Sequence, residues 1–200
     1  IIMIITKDNI KKLERVKRLK LINSICGMRT VHLIGTFSKE NTNLAIFSSV
    51  THIGSDPALL GFISRPSNLV RRDTLSNIRK NKYYTINSVQ KTMLNNAHQT
   101  SCKYERTKSE FDACNFQEKY INEFPAPFVE ESNVKIGMKL LDFIKIPQNN
   151  TIMVVGEVQI IHTVNKQMNI NFKNSIGVIG LNAYYGVNSI KTLQYCRLNK

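Results

Sequence analysis

A pair of serines and two arginine-bearing stretches are the residues whose types and spacing could bind a charged ligand. Ser48-Ser49 interrupts the apolar stretch LAIFSSV, and Arg65 follows it. The run Arg71-Arg72-Asp73-Thr74 lies where a helix is predicted to begin. Helix N-termini offer free N–H groups, and arginine offers a bidentate fork, so this combination suits a phosphate group. The alternative, a solvated basic loop that ends in a helix cap, remains open on these residues alone.

Other catalytic or metal sites have no motif in the sequence. Neither G-x-G-x-x-G nor G-x-x-x-x-G-K-[ST] occurs, so a Rossmann or P-loop nucleotide site has no support. G-x-S-x-G and H-E-x-x-H are also absent. The His and Cys residues form no cluster at metal-binding spacing: His32, His52, His98, His162, Cys26, Cys102, Cys114 and Cys196. We therefore predict no metal site, nominate no catalytic residue from these motifs, and interpret the cysteines as reduced thiols.

The chain is strongly basic, with 28 Lys and Arg against 14 Asp and Glu and a formal net charge of +14. The basic residues concentrate in segments 7–20 and 65–82, which could indicate a nucleic acid or an anionic surface as partner. Single-stranded nucleic-acid platforms stack bases on aromatic side chains, but Trp is absent and the first basic segment has no aromatic residue. The abundance of Asn, Ile and Lys is also typical of AT-rich coding sequences. We therefore do not expect a nucleic-acid partner.

The hydrophobic pattern predicts a mainly β protein with flanking helices. Residues 7–24 predict one basic amphipathic helix, whose apolar stripe should pack across the rest of the protein. Short apolar segments between turn residues predict strands at 31–37, 43–50, 58–64, 83–89, 135–146 and 151–163. A helix is expected at 73–81 and a polar, helical excursion at about 92–122. Short strands with short links are typical of an antiparallel barrel or sandwich.

The 200 residues are expected to form a single domain, because there is no repeat, linker or second core. Its parts are the basic helix at 7–24, a core at 31–163 and a C-terminal extension at 164–200. No apolar run reaches the roughly 18 residues of a membrane span. The N-terminus also lacks the apolar region and cleavage site of a signal peptide. The expected location is the cytoplasm, with no membrane partner.

Four stretches of the sequence together resemble the flavin reductase-like family of FMN-binding split β-barrels. They occur in the family's order: NLAIFSSVTHIGSDPALLGFISRP, RRDTLSNIRKNKYYTINSV, AHQTSCKYERTKSEFDACNF and NNTIMVVGEV. The later LNAYYGV is similar to a tyrosine-containing tail segment of some members. The resemblance implies an FMN-binding split β-barrel over about residues 31–163.

The resemblance also implies roles for individual residues in binding FMN. The strand that contacts the isoalloxazine ring falls on Ile46, Phe47, Ser48 and Ser49. The phosphate-binding positions fall on Arg65, Arg72 and Thr74. A segment that reaches FMN from the helical excursion contains Ser101 and Lys103. A loop position that touches the cofactor in relatives falls on Asn150 or Thr151.

The activity that the resemblance implies is electron transfer through bound FMN. The first hypothesis is an NAD(P)H-dependent flavin reductase that passes electrons to free flavin or another acceptor. The second is an FMN-bound electron carrier or flavin-binding module that a partner protein reduces. A nicotinamide site in this family has no motif of its own, so the sequence does not separate the two. Such split barrels are typically homodimers with FMN between the subunits, and we expect the same here.

Overall fold

The structure, a computed structural model, describes residues 3–66, 72–164 and 174–187, together with residues 189, 191 and 193. Its helices are α1 (Lys7–Lys12), α2 (Arg15–Ile25), α3 (Asp73–Asn81), α4 (Leu94–Gln99) and α5 (Glu110–Ala113). Its strands are β1 (Arg29–Thr30), β2 (His32–Phe37), β3 (Thr42–Phe47), β4 (Thr51–Ser55), β5 (Ala58–Ser64), β6 (Tyr83–Ser88), β7 (Glu118–Lys119), β8 (Phe128–Val129), β9 (Val134–Ile146), β10 (Thr151–Thr163), β11 (Ile176–Ile179) and β12 (Ala183–Gly186).

A seven-stranded antiparallel sheet forms the centre of the fold. Its strand order is β3-β2-β6-β9-β10-β5-β4, and it does not close into a complete barrel. The longest strands, β9 and β10, have 13 residues each. Register shifts between Val155 and Gly156 and between Val158 and Ile160 interrupt their pairing. Such bulges bend a strand, so they allow the long ribbon to curve around the interior.

The two faces of this sheet bury different apolar clusters, because successive side chains of a strand point to opposite faces. Ile34 packs in the inner cluster with Phe62 and Tyr84, which belong to other strands of the curved sheet. Its neighbour Leu33 packs in the outer cluster with Phe111 of α5. Helix α3 contributes to the inner cluster, and α4 and α5 contribute to the outer one. These helices therefore flank a β core, as the sequence predicts.

The predicted single helix at 7–24 is wrong, because the structure has two helices there. Leu13 is extended between α1 and α2, with φ −63° and ψ 139°. The Arg18 guanidinium donates to the carbonyls of Lys11 and Leu13, at 3.4 and 3.3 Å, and thereby satisfies acceptors that the end of α1 leaves open. The expected packing is also wrong: no residue of either helix is buried, and Val16 is 50% exposed. Apolar and basic side chains alternate around α2, so it has no continuous apolar stripe to cover.

Other boundaries differ more locally from the prediction. The strands at 58–64 and 151–163 and the helix at 73–81 are confirmed at the predicted ends. The segment at 92–122 is helical only in α4, α5 and a 3-10 turn, and it ends in β7. Strand β4 was not predicted, because an exposed edge strand needs no apolar alternation. Most of the C-terminal extension lies outside the described residues, except for β11, β12 and short flanks. No helix of the described residues is long and apolar enough to cross a membrane.

Candidate functional site

The end of β3 is an open edge of the sheet. In the strand order β3 is the outermost strand on its side, and among the described strands it pairs with β2 alone. The Leu44 N–H donates to the Glu110 carboxylate at 3.0 Å, so it faces away from β2. Because N–H groups of a strand alternate between its two sides, the Ile46 N–H faces the same open edge. This backbone edge can pair with a flat ligand that carries hydrogen-bonding groups along one side.

The side chains at the end of β3 have different surroundings. The Phe47 ring points into the interior, where it meets Phe62 edge-on with centroids 4.9 Å apart. The side chain of Ile46 packs against the outer cluster. The Ser49 hydroxyl accepts from the Ile63 N–H at 3.0 Å and donates to the Ile63 carbonyl at 3.3 Å. Ser49 therefore links the end of β3 to β5, and Ser48 is the serine that has no hydrogen bond within the described part of the chain.

Two arginines lie close together where β5 ends and α3 begins. Arg65 directly follows β5, and Arg72 is the residue that precedes the first turn of α3. Burial and the positive charge of Arg65 both lower the pKa of the Arg72 guanidinium. The Arg72 Nε is buried and has no hydrogen-bond partner in the described segments. The ion pairs of these segments are Arg106–Glu40 and Lys119–Glu130, and neither includes Arg65 or Arg72. Two neighbouring cations that form no ion pair with any described residue make a site that an anion would stabilise.

The N-terminus of α3 adds backbone donors beside these arginines. Ser76 is the first residue of α3 whose N–H bonds back to Arg72, at 3.0 Å, so the N–H groups of Thr74 and Leu75 have no acceptor within the helix. Arg72 makes no side-chain cap. Free N–H groups at a helix N-terminus favour an anion. Thr74 is buried, and its hydroxyl donates to the Asn43 side-chain oxygen at 3.0 Å, so its N–H is the group that can face a ligand.

A chain of polar contacts connects α3 to β3 and α5. Asn43 donates from Nδ2 to Glu110 Oε2 at 2.7 Å, and its Oδ1 accepts from the hydroxyls of Thr36 and Thr74. Asn77 donates to the Thr36 hydroxyl at 3.1 Å. Burial raises the pKa of the Glu110 carboxyl, and its bonds from Leu44 and Asn43 oppose that effect. These contacts fix the first turn of α3 against the start of β3.

The turn between β9 and β10 lies beside the same region. Asn150 has a left-handed backbone, with φ 58°, and is exposed. The Thr151 N–H and hydroxyl both donate to Asn149 Oδ1, at 3.0 and 2.7 Å. Ile152 pairs with Ser64, the last residue of β5. The beginning of β10 is therefore next to the chain that leads into Arg65.

Ser101 and Lys103 are exposed in the turns that follow α4. The Ser101 N–H donates to the His98 carbonyl at 3.0 Å, and no side-chain hydrogen bond joins Ser101 or Lys103 to the other candidate residues in the described segments. Tyr104 lines a polar cleft between α3, the β2–β3 turn and residues 104–110, with an empty volume of about 310 Å³ that includes open solvent. Asn43, Asp73 and Glu110 line it too. The Lys103 segment therefore reaches the vicinity of α3 through this cleft.

Comparison with known proteins gives the chain a family. The model of the flavin reductase like domain matches residues 27–176, which is more than half of the chain. The chain belongs to this family. None of the curated proteins matches it.

Solved structures of other members show the same fold. One is a protein from Shewanella frigidimarina NCIMB 400 described as a flavin reductase with a split barrel domain. It is 36% identical to this chain, with a TM-score of 0.91, and the match covers 97% of this chain and 100% of the Shewanella protein. Nitrilotriacetate monooxygenase component B from Bacillus cereus is 16% identical with a TM-score of 0.85, covering 96% and 99%. An FMN-binding protein from Thermus thermophilus is 15% identical with a TM-score of 0.68, covering 80% and 86%. The split-barrel fold and the family predicted from the sequence are confirmed, and family membership supports a flavin-related oxidoreductase.

The geometry changes how two candidate residues of this flavin reductase-like protein would act. Ser49 and Thr74 were predicted to contact FMN, and the hydroxyls of both are engaged inside the protein. Their backbone groups remain available to a ligand. Asn43 and Glu110 were missed as site residues. Both were present in the recognised segments, Asn43 opening NLAIFSS and Glu110 preceding a phenylalanine, but their contact spans 67 positions and only the fold reveals it.

Proposed function

We propose that this protein is an FMN-dependent oxidoreductase, an NAD(P)H:flavin reductase in which FMN lies along the open edge of β3. Family membership supports flavin-related redox chemistry, and the site residues support FMN as the form of flavin. The observation that carries the proposal is the close pair Arg65 and Arg72 at the N-terminus of α3, where the Arg72 Nε is buried and has no partner among the described residues. A dianionic phosphate is the group that this arrangement would stabilise most.

The ring would extend from the phosphate site towards the end of β3. The Ile46 N–H at the open edge and the Ser48 hydroxyl provide donors for the polar side of an isoalloxazine ring. Ser49, through its bonds to Ile63, holds this edge at a fixed distance from β5. A flat apolar ligand with few, well-placed polar contacts is the usual content of such a cleft. The protein's part is to orient and enclose the ring, while bound FMN supplies the capacity to accept hydride from a nicotinamide and to pass electrons on.

A second copy of the chain would complete the enclosure. Three apolar residues lie side by side on the outer face of neighbouring strands. Met153 of β10 pairs with Ile63 of β5 and with Ile144 of β9. A Cβ placed on Gly61 would lie 2.8 Å from Ile53 and 2.9 Å from Met153, so Ile53 joins the same face. Ile144 and Ile53 are 48% and 39% exposed. An apolar face directly beside Arg65 and the Ser49–Ile63 link supports a homodimer with FMN near its interface.

Titration with FMN and riboflavin tests the cofactor, because riboflavin lacks the phosphate. FMN should bind more tightly than riboflavin and give a yellow complex. Equal affinities for FMN and riboflavin would contradict the proposed phosphate site. Stopped-flow mixing of the FMN-loaded protein with NADH or NADPH tests the enzyme activity through the loss of flavin absorbance. Tight FMN binding without reduction by either nucleotide would contradict the reductase and leave the electron carrier.

A further inference from the structure

Helix α3 is fastened to the sheet by three polar side chains on one of its faces. Thr74 bonds Asn43, Asn77 bonds Thr36 one turn later, and Asn81 donates to the Phe37 carbonyl at the end of the helix. Of these three contacts, the one from Thr74 lies in the first turn, beside Arg72 and the N–H groups of Thr74 and Leu75 that have no acceptor within the helix. The direction of those N–H groups therefore depends on how Thr74 is held.

Glu110 determines which end of the Asn43 amide faces Thr74. A carboxylate accepts hydrogen bonds and cannot donate them, so Asn43 must turn its NH₂ group towards Glu110, at 2.7 Å. Its oxygen then faces the hydroxyls of Thr36 and Thr74, at 3.2 and 3.0 Å. The same Glu110 oxygen also accepts the Leu44 N–H at 3.0 Å. One carboxylate oxygen thus orders both the start of β3 and, through Asn43, the start of α3.

A half-buried carboxylate that links two elements has a desolvation cost, because burial disfavours its charged form. Glu110 belongs to no ion pair in the described segments, and Asp73, another acid, lies near enough to disfavour its charge. Simple packing would be served as well by a neutral side chain. An acceptor oxygen adds a fixed polarity: the Leu44 N–H keeps this oxygen in place, and the oxygen excludes the flipped orientation of Asn43.

We propose that Glu110 is a positioning residue that sets the preference of the site for FMN over riboflavin. By locking Asn43, it holds Thr74 and the first turn of α3 so that their N–H groups converge with Arg65 and Arg72 on one phosphate. Riboflavin makes no use of this convergence. The inference rests on the proposed function, because it presupposes the phosphate site at α3.

Glu110→Ala and Glu110→Gln, with Asp112→Ala as control, test this inference in the full-length protein. Asp112 is exposed on the same short helix and takes no part in the network. FMN and riboflavin affinities are measured by fluorescence titration. Glu110→Ala should weaken FMN binding about tenfold, the equivalent of about 1.4 kcal/mol, and leave riboflavin within about twofold. Glu110→Gln should restore most of the FMN affinity, because both bonds go to one oxygen and an amide oxygen can accept both.

A merely structural role would give a different pattern. Equal losses for FMN and riboflavin, or no rescue by glutamine, would overturn the inference, as would unchanged FMN affinity in Glu110→Ala. If Glu110→Ala fails to fold, Thr74→Val and Thr74→Ser provide a second test. Thr74→Val should lower the preference for FMN over riboflavin, and Thr74→Ser should retain it. Adding Glu110→Gln to Thr74→Val should have no further effect. The two proposals can fail separately. If Arg72→Ala loses the preference for FMN over riboflavin and the Glu110 and Thr74 variants keep it, this inference alone is rejected. If Arg72→Ala also keeps the preference, the phosphate site itself is rejected.

Discussion

Replacing Arg72 by alanine separates ligand binding from folding, because its guanidinium makes no hydrogen bond or ion pair to any residue that the structure describes. Arg72 forms no side-chain cap on α3 and no ion pair in the described segments, and the charge of Arg65 disfavours its own. The free protein should therefore keep or slightly increase its thermal stability. FMN should lose a charge-assisted contact of about 1.5–3 kcal/mol, which is about a 10- to 150-fold rise in Kd.

Arg29→Ala is the matched control, because it should have the opposite effects. The Arg29 guanidinium donates to the Gly180 carbonyl at 2.6 Å and to Asn23 at 3.5 Å, so its removal should lower the melting temperature. Its FMN affinity should be that of the unmodified protein. The assays are thermal unfolding without ligand and fluorescence titration with FMN and riboflavin. Equal losses of FMN affinity in the two variants, or an Arg72→Ala loss shared by riboflavin, would refute the phosphate site.

Three further predictions concern other parts of the molecule. The first concerns four exposed lysines of α1 and α2, namely Lys11, Lys12, Lys17 and Lys20. Replacing all four by glutamine should change FMN affinity less than twofold, because exposed charges beyond about 8–10 Å are screened at physiological salt. A large loss of FMN affinity in the titration would instead indicate that α1 and α2 bind a ligand. Ile144→Asp should give a monomeric mass by light scattering and weaker FMN binding. Leu181→Asp, at a similarly exposed site on the β11–β12 turn, should leave the mass and the FMN affinity unchanged. A dimeric mass for Ile144→Asp would contradict the proposed interface. Burial lowers the pKa of His32 to about 4, so its contribution to stability is present above pH 6.5 and is lost as the pH falls towards 4. His32→Gln should reduce this loss in urea unfolding, and identical pH profiles would contradict a buried neutral His32.

The fold could be predicted where local sequence and tertiary structure agree. Helix α3 begins with an acidic first turn, has apolar residues at helical spacing and ends at Lys82 in a left-handed conformation, so its bounds follow from the sequence. Strand β10 has a continuous β-branched pattern after a turn of Pro and Asn residues. The N-terminal arm could not be predicted in the same way. Its apolar residues occur near helical spacing, but no core covers them, and without burial the pattern does not enforce a single helix.

The sequence nominates a set of site residues, which stays a prediction, and their interactions within the protein could not be predicted from it. The resemblance could point to Ser49 and Thr74 because it compares positions along the chain. The partners of their hydroxyls, Ile63 and Asn43, lie 14 and 31 positions away, and only the packing of α3 and β5 brings them near. The same limit hid Glu110, which reaches Asn43 across 67 positions. Sequence can thus nominate residues for a ligand site, but the structure is needed to see which of their polar groups are already engaged inside the protein.

The position of the proposed flavin follows from the way the barrel is left open. An unpaired edge strand exposes backbone donors and acceptors that could pair with any other strand, which is a hazard for a folded protein. Here the edge of β3 is protected in two places, by Glu110 at Leu44 and by the link from Ser49 to β5. Between them the Ile46 N–H is left open, and the gap is too short for another strand. A flat ring with hydrogen-bonding groups along one side fits this gap, and a phosphate at α3 would fix its register. Under the proposed function, the feature that would make β3 vulnerable to aggregation is therefore the feature that would make it selective for a flavin.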